Sequence, residues 1–336
     1  MELPIIQAPM AGSQGSALAI AVSNAGGLGS LPCAMLDLEA MRGELAKIKA
    51  RTDRPYNVNF FCHVPPTPNP EREALWRAVL APYYREFGID AGAISAGPGR
   101  IPFSAQAAAV LSEFKPAVVS FHFGLPSADL LARVKAWGAK ILSSATTVDE
   151  ARWLEAQGVD AIIAQGLEAG GHRGLFLSED LSTQVGTFAL LPQIVQTVTI
   201  PVIAAGGIAD AKGVAAAMAL GAAGAQVGTA YLLCPEATTS AVHRAALKSV
   251  AGHTALTNLF TGRPARGIVN RIMRELGPIS ATPPAFPLAT AAIAALRARA
   301  EGQGSGDFSP LWAGQNASGC KEVPAAELTR QLAADL

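Results

Sequence analysis

Short, continuously apolar runs alternate with amphipathic segments along the first two thirds of the chain. Strands have this pattern, rather than strict alternation, when both faces of their sheet are covered. Because helical segments separate the runs, their order predicts right-handed β/α crossovers and a parallel sheet. The runs predict eight strands, at Pro4–Pro9, Gly27–Leu31, Tyr56–Cys62, Ala117–Phe123, Lys140–Ala145, Ala161–Gln165, Val202–Ala205 and Gly224–Gly228.

The segments between the runs carry apolar residues at helical spacing. One apolar face is formed by Leu38, Met41, Leu45 and Ile48, and another by Leu75, Val79, Leu80, Tyr83 and Phe87. Gly88 directly follows the second face and is a candidate C-terminal cap. Four more helices are predicted at Ala128–Trp137, Asp149–Gln157, Phe188–Val198 and Ala211–Leu220.

Eight strands in this order predict an α/β fold. They favour a closed (β/α)₈ TIM barrel over an open doubly wound sheet. The main alternative, a Rossmann-type sheet, requires a G-x-G-x-x-G turn after its first strand. The sequence at that point, Ala8-Pro9-Met10-Ala11-Gly12, lacks this turn.

The pattern changes after Leu233. From about Pro235 to Ala300 the chain reads as helical and more basic, with a proline-rich stretch at residues 282–287. We therefore predict a TIM barrel over residues 1–234 and a smaller, mainly helical substrate-pocket domain over residues 235–305. The C-terminal segment, residues 306–336, is predicted to return to the barrel.

The charge balance excludes a nucleic-acid-binding protein. Lys and Arg together number 26, and Asp and Glu together also number 26, so the formal net charge is zero and there is no basic excess. The N-terminus lacks a secretory signal pattern. The uncharged stretch Gly213–Leu233 is rich in Ala and Gly, and we interpret it as a helix and a buried strand rather than a membrane span.

Cysteine placement points to a reducing compartment. The four cysteines, Cys33, Cys62, Cys234 and Cys320, are far apart and form no C-x-x-C pair. We therefore expect neither a disulfide framework nor a metal cluster, and we expect a cytoplasmic protein.

Two glycine-containing loops follow the seventh and eighth predicted strands. They are Ala205-Gly206-Gly207-Ile208 and Gln226-Val227-Gly228-Thr229. In (β/α)₈ barrels these loops form the standard phosphate site, where glycines let backbone N–H groups approach the anion and a hydroxyl such as that of Thr229 can donate. The alternative is that these glycines only end strands, but the position of both loops favours a phosphate site.

Histidines follow three of the predicted strands. His172 lies in the glycine-flanked loop after the sixth strand, where its near-neutral pKa suits a general base or hydrogen-bond donor. His122 ends the fourth strand on the same barrel face and can share a pocket with His172. A hydrogen-bonded strand-end role is an equal alternative for His122 and is favoured for His63. Glu168 is a candidate second acid, although a single loop carboxylate is more often solvated. No ligand spacing supports a metal site.

The order and spacing of these motifs resemble the nitronate monooxygenase family, formerly called 2-nitropropane dioxygenases, over nearly the whole chain. The resemblance implies a TIM barrel with non-covalent FMN and a helical second domain over the pocket. The motifs are Gln7 through Gly12, Ser23 through Gly29, Asn57-Val58-Asn59, Gln165 through Gly174, Ala204 through Ile208, Gln226 through Thr229, Gly262 through Gly267 and Trp312 through Gln315.

The resemblance also implies a cofactor site and a reaction. Carried over by position, the FMN contacts are Met10, Asn59, Gln165, Gly170, Gly207, Gln226, Gly228 and Thr229, and we add Gly171, Gly206 and Val227 from the same loops. His172 matches the catalytic histidine, and His122 matches a histidine of the same pocket. The implied reaction oxidises an alkyl nitronate, such as propionate 3-nitronate, with O₂ to a carbonyl compound and nitrite. The flavin would carry the redox chemistry, and the protein would be a monomer or homodimer.

One departure from the family pattern bears on the substrate. Some members carry polar aromatic and lysine residues after the proline-rich stretch, where this chain has Phe286, Thr290 and Ala294. This difference leads to the hypothesis of a substrate that is larger or less anionic than propionate 3-nitronate.

Other functions fit parts of the same pattern. An NAD(P)H-dependent FMN reductase of quinones or enoyl thioesters would share the barrel and its flavin loops. A barrel that binds a sugar phosphate without flavin, and a non-catalytic binding protein, are further alternatives.

Overall fold

The computed structural model describes residues 1–94, 99–249 and 253–336. Its strands are β1 (Ile5–Gln7), β2 (Gly29–Pro32), β3 (Tyr56–Phe61), β4 (Val118–His122), β5 (Lys140–Ala145), β6 (Ala161–Gln165), β7 (Gly171–His172), β8 (Val202–Ala205), β9 (Gly224–Val227), β10 (Thr254–Thr257) and β11 (Ala265–Ile268). Eight parallel strands are hydrogen-bonded in the order β1-β9-β8-β6-β5-β4-β3-β2. A parallel bridge between Ile6 on β1 and Leu28 beside β2 closes the ring. Each of these strands overlaps a predicted one, so the TIM barrel is confirmed.

Helices connect and surround the strands. They are α1 (Ser16–Asn24), α2 (Leu38–Arg51), α3 (Pro70–Glu86), α4 (Ala105–Phe114), α5 (Ala128–Lys135), α6 (Val148–Ala156), α7 (Thr187–Thr197), α8 (Ala211–Ala219), α9 (Ala241–Lys248), α10 (Arg271–Leu276), α11 (Ala289–Gly302) and α12 (Ala325–Leu332). Several begin at residues whose side-chain oxygens accept a first-turn N–H, such as Asp37, Thr147 and Asp210. Gly88, after α3, adopts a φ of 60°, as a C-terminal cap requires.

Successive strand residues face opposite layers. Ile163 and Ile203 pack inside the barrel with Leu142, whereas the adjacent Ile162 and Val202 pack against the surrounding helices. Both layers are apolar, which explains why the strands read as continuous apolar runs.

A second apolar cluster lies beside the barrel and joins α3 to α11. The indole of Trp76 on α3 donates to the Ala289 carbonyl at 3.4 Å, and the Tyr84 hydroxyl donates to the Ala292 carbonyl at 2.7 Å. The crossover after β3 therefore contributes a helix to the region that we assigned to residues 235–305.

A three-stranded antiparallel sheet connects this region to the barrel. Strand β11 pairs with β10 on one side and with β7 on the other, where Ala265 lies opposite His172. The sequence pattern predicts helix throughout residues 235–300, and for β10 and β11 that prediction is wrong. These short strands form because β7, from a distant part of the chain, pairs with β11, and β11 pairs in turn with β10.

The C-terminal segment contacts the barrel at several places. The Thr329 hydroxyl on α12 lies 2.8 Å from the Tyr231 hydroxyl, and the Gly314 N–H donates to Thr229 Oγ1 at 2.9 Å, beside the predicted phosphate loop. Among the described residues, no helix has the length and hydropathy needed to cross a membrane.

Candidate active site

A cavity opens at the carboxyl ends of the barrel strands. Because all eight strands are parallel, the loops after them meet at this end. The predicted site residues that line the cavity are Met10, Asn59, His122, Gln165, Gly170, Gly171, His172, Gly206, Gly207, Gln226, Gly228 and Thr229.

Val227 is the predicted site residue that does not line the cavity. Side chains alternate along β9, so Gln226 faces the cavity and Val227 packs outside the barrel against Leu18 and Val22 of α1. Its carbonyl accepts the Ala8 N–H at 2.8 Å. Val227 therefore serves packing and backbone pairing.

We call the two predicted phosphate loops the anion cradle, and the first of them has a backbone that favours glycine. Gly206 and Gly207 adopt φ values of 119° and 75°, a region that favours glycine. A Cβ at Gly206 would lie 2.9 Å from Thr187 Oγ1, so a side chain does not fit there. Thr229 Oγ1 already accepts the Gly314 N–H, which leaves its own proton for an anion.

Amide side chains border the inner end of the cavity. The Asn59 amide donates to Ser120 Oγ at 3.0 Å, and Gln165 Oε1 accepts the Gly174 N–H at 2.7 Å. Buried Gln226 Oε1 has no hydrogen-bond partner among the described residues. An acceptor of this kind suits a ligand with an N–H group, since leaving it unmet costs about 1–3 kcal/mol.

His122 is engaged by protein groups at both ring nitrogens. Its Nε2 lies 3.2 Å from the His172 carbonyl and its Nδ1 lies 3.0 Å from Ser144 Oγ. Because a carbonyl only accepts, Nε2 carries the proton and Nδ1 accepts from Ser144. His122 therefore holds the backbone of His172, which agrees with the hydrogen-bonded alternative for this residue.

His172 projects its imidazole into the cavity. Its Nε2 lies 2.9 Å from Thr261 Oγ1, and its ring packs against Phe286 and Trp312, with ring centres 5.3 and 5.5 Å away. No described residue hydrogen-bonds Nδ1, so this atom is available to a ligand.

Comparison with known proteins agrees with this geometry. The family model described as nitronate monooxygenase matches residues 1–335. The chain belongs to the nitronate monooxygenase family. The nitronate monooxygenase of Pseudomonas aeruginosa is 43% identical across all of this chain and 97% of its own length. That of Paraburkholderia phytofirmans is 45% identical, across all of this chain and 93% of its own length.

Solved structures give the same assignment. Nitroalkane oxidase from Streptomyces ansochromogenes superposes with a TM-score of 0.91 at 40% identity, covering 99% of this chain and 95% of that one. FabK from Thermotoga maritima is less similar, with a TM-score of 0.70 at 26% identity, covering 100% and 93% of the two chains. This nitronate monooxygenase family member is therefore an oxidoreductase.

Two further predicted residues lie outside the cavity lining. The Glu168 carboxylate accepts from the Thr187 N–H and hydroxyl at the start of α7, so it stabilises a helix end. The His63 ring packs on Phe286, with centres 4.8 Å apart, and neither of its nitrogens has a hydrogen-bond partner among the described residues. The hydrogen-bonded role favoured for His63 stays a prediction.

The electrostatic setting keeps His172 neutral. Burial, followed by the nearby positive charge of Arg100, lowers the pKa of His172 well below its ordinary value. Arg263 contributes a further charge, and its guanidinium carbon lies 4.0 Å from the Phe123 ring centre. A neutral imidazole among cationic groups suits an anionic ligand.

Sequence reasoning missed two residues beside His172. Thr261 directly precedes the Gly262 through Gly267 motif, and this position is the sequence feature from which its role could have been predicted. Arg100 lines the cavity, but no motif surrounds it in the sequence. Only the fold brings these residues to His172.

A buried arginine fixes the shape of the loop that carries His172. Arg173 is fully buried and donates to the carbonyls of Gly166 at 2.6 Å and Gln165 at 2.7 Å, and to Gln184 Oε1 at 3.0 Å. These bonds fold residues 165–174 into one unit.

Arg173→Met is expected to lower the free energy of unfolding by about 3 kcal/mol, because it strands buried carbonyl groups. It should also weaken cofactor retention. Urea unfolding and flavin content after gel filtration measure the two effects. Arg244→Met is a matched control, since Arg244 also donates to carbonyls, those of Leu233 and Cys234, away from the cavity lining. Equal flavin loss in both variants would contradict the assignment.

Stability is expected to fall in mild acid. Burial lowers the pKa values of His63, His122 and His243 to about 4, against about 6.5 in an unfolded chain. The unfolded state then binds more protons, so stability is full above pH 6.5 and is lost as the pH falls toward 4, by up to about 1.4 kcal/mol per pH unit for each histidine. Urea unfolding of flavin-free protein at pH 7 and 5 tests this, and equal stability at both would contradict it.

Proposed function

We propose that this enzyme binds FMN at the cavity and oxidises alkyl nitronates, such as propionate 3-nitronate, with O₂ to a carbonyl compound and nitrite. The observation that carries the proposal is the open Nδ1 of His172, a neutral group beside a glycine-lined anion cradle. The family assignment supports the same reaction class. All four cysteines are free thiols, which supports a reducing compartment such as the cytoplasm.

The lining residues fit FMN in their donor and acceptor chemistry. The backbone of Gly206, Gly207 and Gly228 and the Thr229 hydroxyl offer donors for a phosphate. The unpartnered Gln226 Oε1 offers an acceptor for a ring N–H, and Asn59 and Gln165 add further amides at the inner end. Bound FMN would accept electrons from the substrate and pass them to O₂.

Thr261 makes both tautomers of neutral His172 available. Its hydroxyl can donate to Nε2, 2.9 Å away, in place of the Arg263 carbonyl at 3.3 Å, which leaves a proton on Nδ1 to donate to a nitronate oxygen. It can also accept from Nε2, which leaves Nδ1 as a base for the α-proton of a neutral nitroalkane. Because the lowered pKa makes His172 a weak base, the first arrangement is favoured. The nitronate is therefore proposed as the substrate rather than the nitroalkane.

Anaerobic mixing of FMN-loaded enzyme with its reductant tests this function against the alternative NAD(P)H-dependent reductase. We expect propionate 3-nitronate to bleach the flavin rapidly and NADH to bleach it slowly. The same preparation, mixed with 3-nitropropionate in its neutral nitro form, should react more slowly than with the nitronate. Rapid bleaching by NADH alone would reject nitronate oxidation and favour the reductase.

A further inference from the structure

Arg100 is a partly buried cation in the cavity lining. Burial lowers its pKa to about 10, so the guanidinium stays charged at neutral pH. Within the described residues it forms no ion pair with a carboxylate. The second effect on its pKa is the repulsive charge of Arg297. A charge withdrawn from water without a counter-ion is costly, which indicates that a ligand supplies the anion.

Two residues of the second region hold the Arg100 side chain. One guanidinium nitrogen donates to Thr290 Oγ1 at 3.1 Å, and the guanidinium carbon lies 5.4 Å from the Phe286 ring centre. A guanidinium has five N–H donors in a planar fork that matches both oxygens of a carboxylate. Thr290 holds one donor, and no other described residue accepts a hydrogen bond from this guanidinium, so the remaining donors can serve a ligand.

Arg100 and His172 lie around the same aromatic ring. The His172 ring centre is 5.3 Å from that of Phe286, and the Arg100 guanidinium is on this ring as well. The Arg100 side chain is held by Phe286 and Thr290 of the second region. The anion cradle is formed by different residues, in loops of the barrel. A ligand that places one anionic group at His172 can place a second at Arg100.

We propose that Arg100 is a specificity-determining residue that binds a carboxylate carried by the nitronate substrate. This inference rests on the proposed nitronate oxidation and narrows it to nitronates with a second negative charge. Phe286 and Thr290 then orient Arg100. The hypothesis of a less anionic substrate is replaced, since the positive charge comes from a different part of the chain.

The test compares two nitronates of similar shape on FMN-loaded enzyme. Propionate 3-nitronate carries a carboxylate, and 3-methylbutyl-1-nitronate carries an isopropyl group in its place. Arg100→Met is expected to lower kcat/KM for the carboxylate substrate about 100-fold, mainly through KM, and to change it less than about threefold for the isopropyl substrate. Arg100→Lys should lower kcat/KM for the carboxylate substrate about tenfold, because lysine keeps the positive charge but lacks the planar set of N–H donors.

The controls separate a specific effect from a general one. Arg299→Met removes an exposed arginine of α11 and should leave both substrates unchanged. Thr290→Val, which removes the hydroxyl that holds Arg100, should lower kcat/KM for the carboxylate substrate alone. Equal losses for both nitronates in Arg100→Met, or no loss for either, would overturn the proposal. Circular dichroism and flavin content confirm that each variant is folded.

A measurement of ligand binding tests the carboxylate site independently of the proposed nitronate oxidation. Titration of the flavin absorbance with succinate, whose two carboxylates replace the carboxylate and the nitronate of the substrate, measures binding without turnover. We expect its Kd to rise about 100-fold in Arg100→Met and to stay unchanged in Arg299→Met. If the wild-type enzyme oxidises neither nitronate but shows this shift, the proposed function fails and the carboxylate site stands. If the Kd does not change, the carboxylate site fails.

Discussion

Replacing His172 with alanine is expected to lower kcat for nitronate oxidation by about 100- to 1000-fold. The imidazole Nδ1 is a hydrogen-bond group in the cavity lining, where the nitronate is proposed to bind, and loss of one donor to the reacting group has an effect of this size. Cofactor binding should be kept, because the contacts of His172 with His122 and Gln165 use its backbone carbonyl. Steady-state oxygen uptake and flavin content measure the two quantities.

A graded variant distinguishes loss of the imidazole from loss of its orientation. Thr261→Val keeps His172 but removes the hydroxyl 2.9 Å from its Nε2. It should lower kcat about tenfold, less than His172→Ala, and leave flavin content unchanged. Turnover within about threefold of wild type in His172→Ala would reject the role assigned to this histidine.

Gly207→Asp is expected to raise the Kd for FMN at least about 100-fold. Gly207 has a φ of 75°, a conformation that Asp and Asn tolerate better than other side chains. A Cβ there would meet its nearest neighbour, Glu168, at an ordinary contact distance of 3.5 Å. The new carboxylate would therefore fit, but it would place a negative charge where the phosphate is proposed to bind, and like charges at this range repel by several kcal/mol.

Gly207→Asn is the matched control, since it has nearly the same size and no charge. Its FMN affinity should stay within about tenfold of wild type. Fluorescence titration of FMN gives both Kd values, and urea unfolding reports any repulsion between the introduced carboxylate and Glu168 as lost stability. Equal weakening by both substitutions would show that space, not charge, matters at this loop. It would then contradict the proposed phosphate site.

The barrel and most of the cavity lining could be predicted from local sequence. Its strands are buried on both faces, so they read as continuous apolar runs, and the order of the β/α units then fixes a closed parallel sheet. The loops at Gly206 and Gly228 follow strand ends, and the fold alone places them at the cavity. His172 could be found in the same way, from a glycine-flanked loop at a strand end.

Other features depend on contacts between distant residues and leave no local pattern. Strand β11 forms by pairing with β7 near His172, in a segment whose composition favours helix. The position of Val227 required the register of β9, where Gln226 faces the cavity instead. The role of His122 depends on which groups meet its two ring nitrogens. Arg100 has no motif, and its importance becomes visible only when Phe286 and Thr290 are placed beside it.

The measurement that tests the central claim most directly is simultaneous oxygen uptake and nitrite release by FMN-loaded enzyme given propionate 3-nitronate. The account predicts rapid uptake of O₂, nitrite formed in step with nitronate consumed, and little turnover of NADH with a quinone. Absence of nitrite, together with rapid NADH oxidation by the same preparation, would contradict nitronate oxidation as the function of this enzyme.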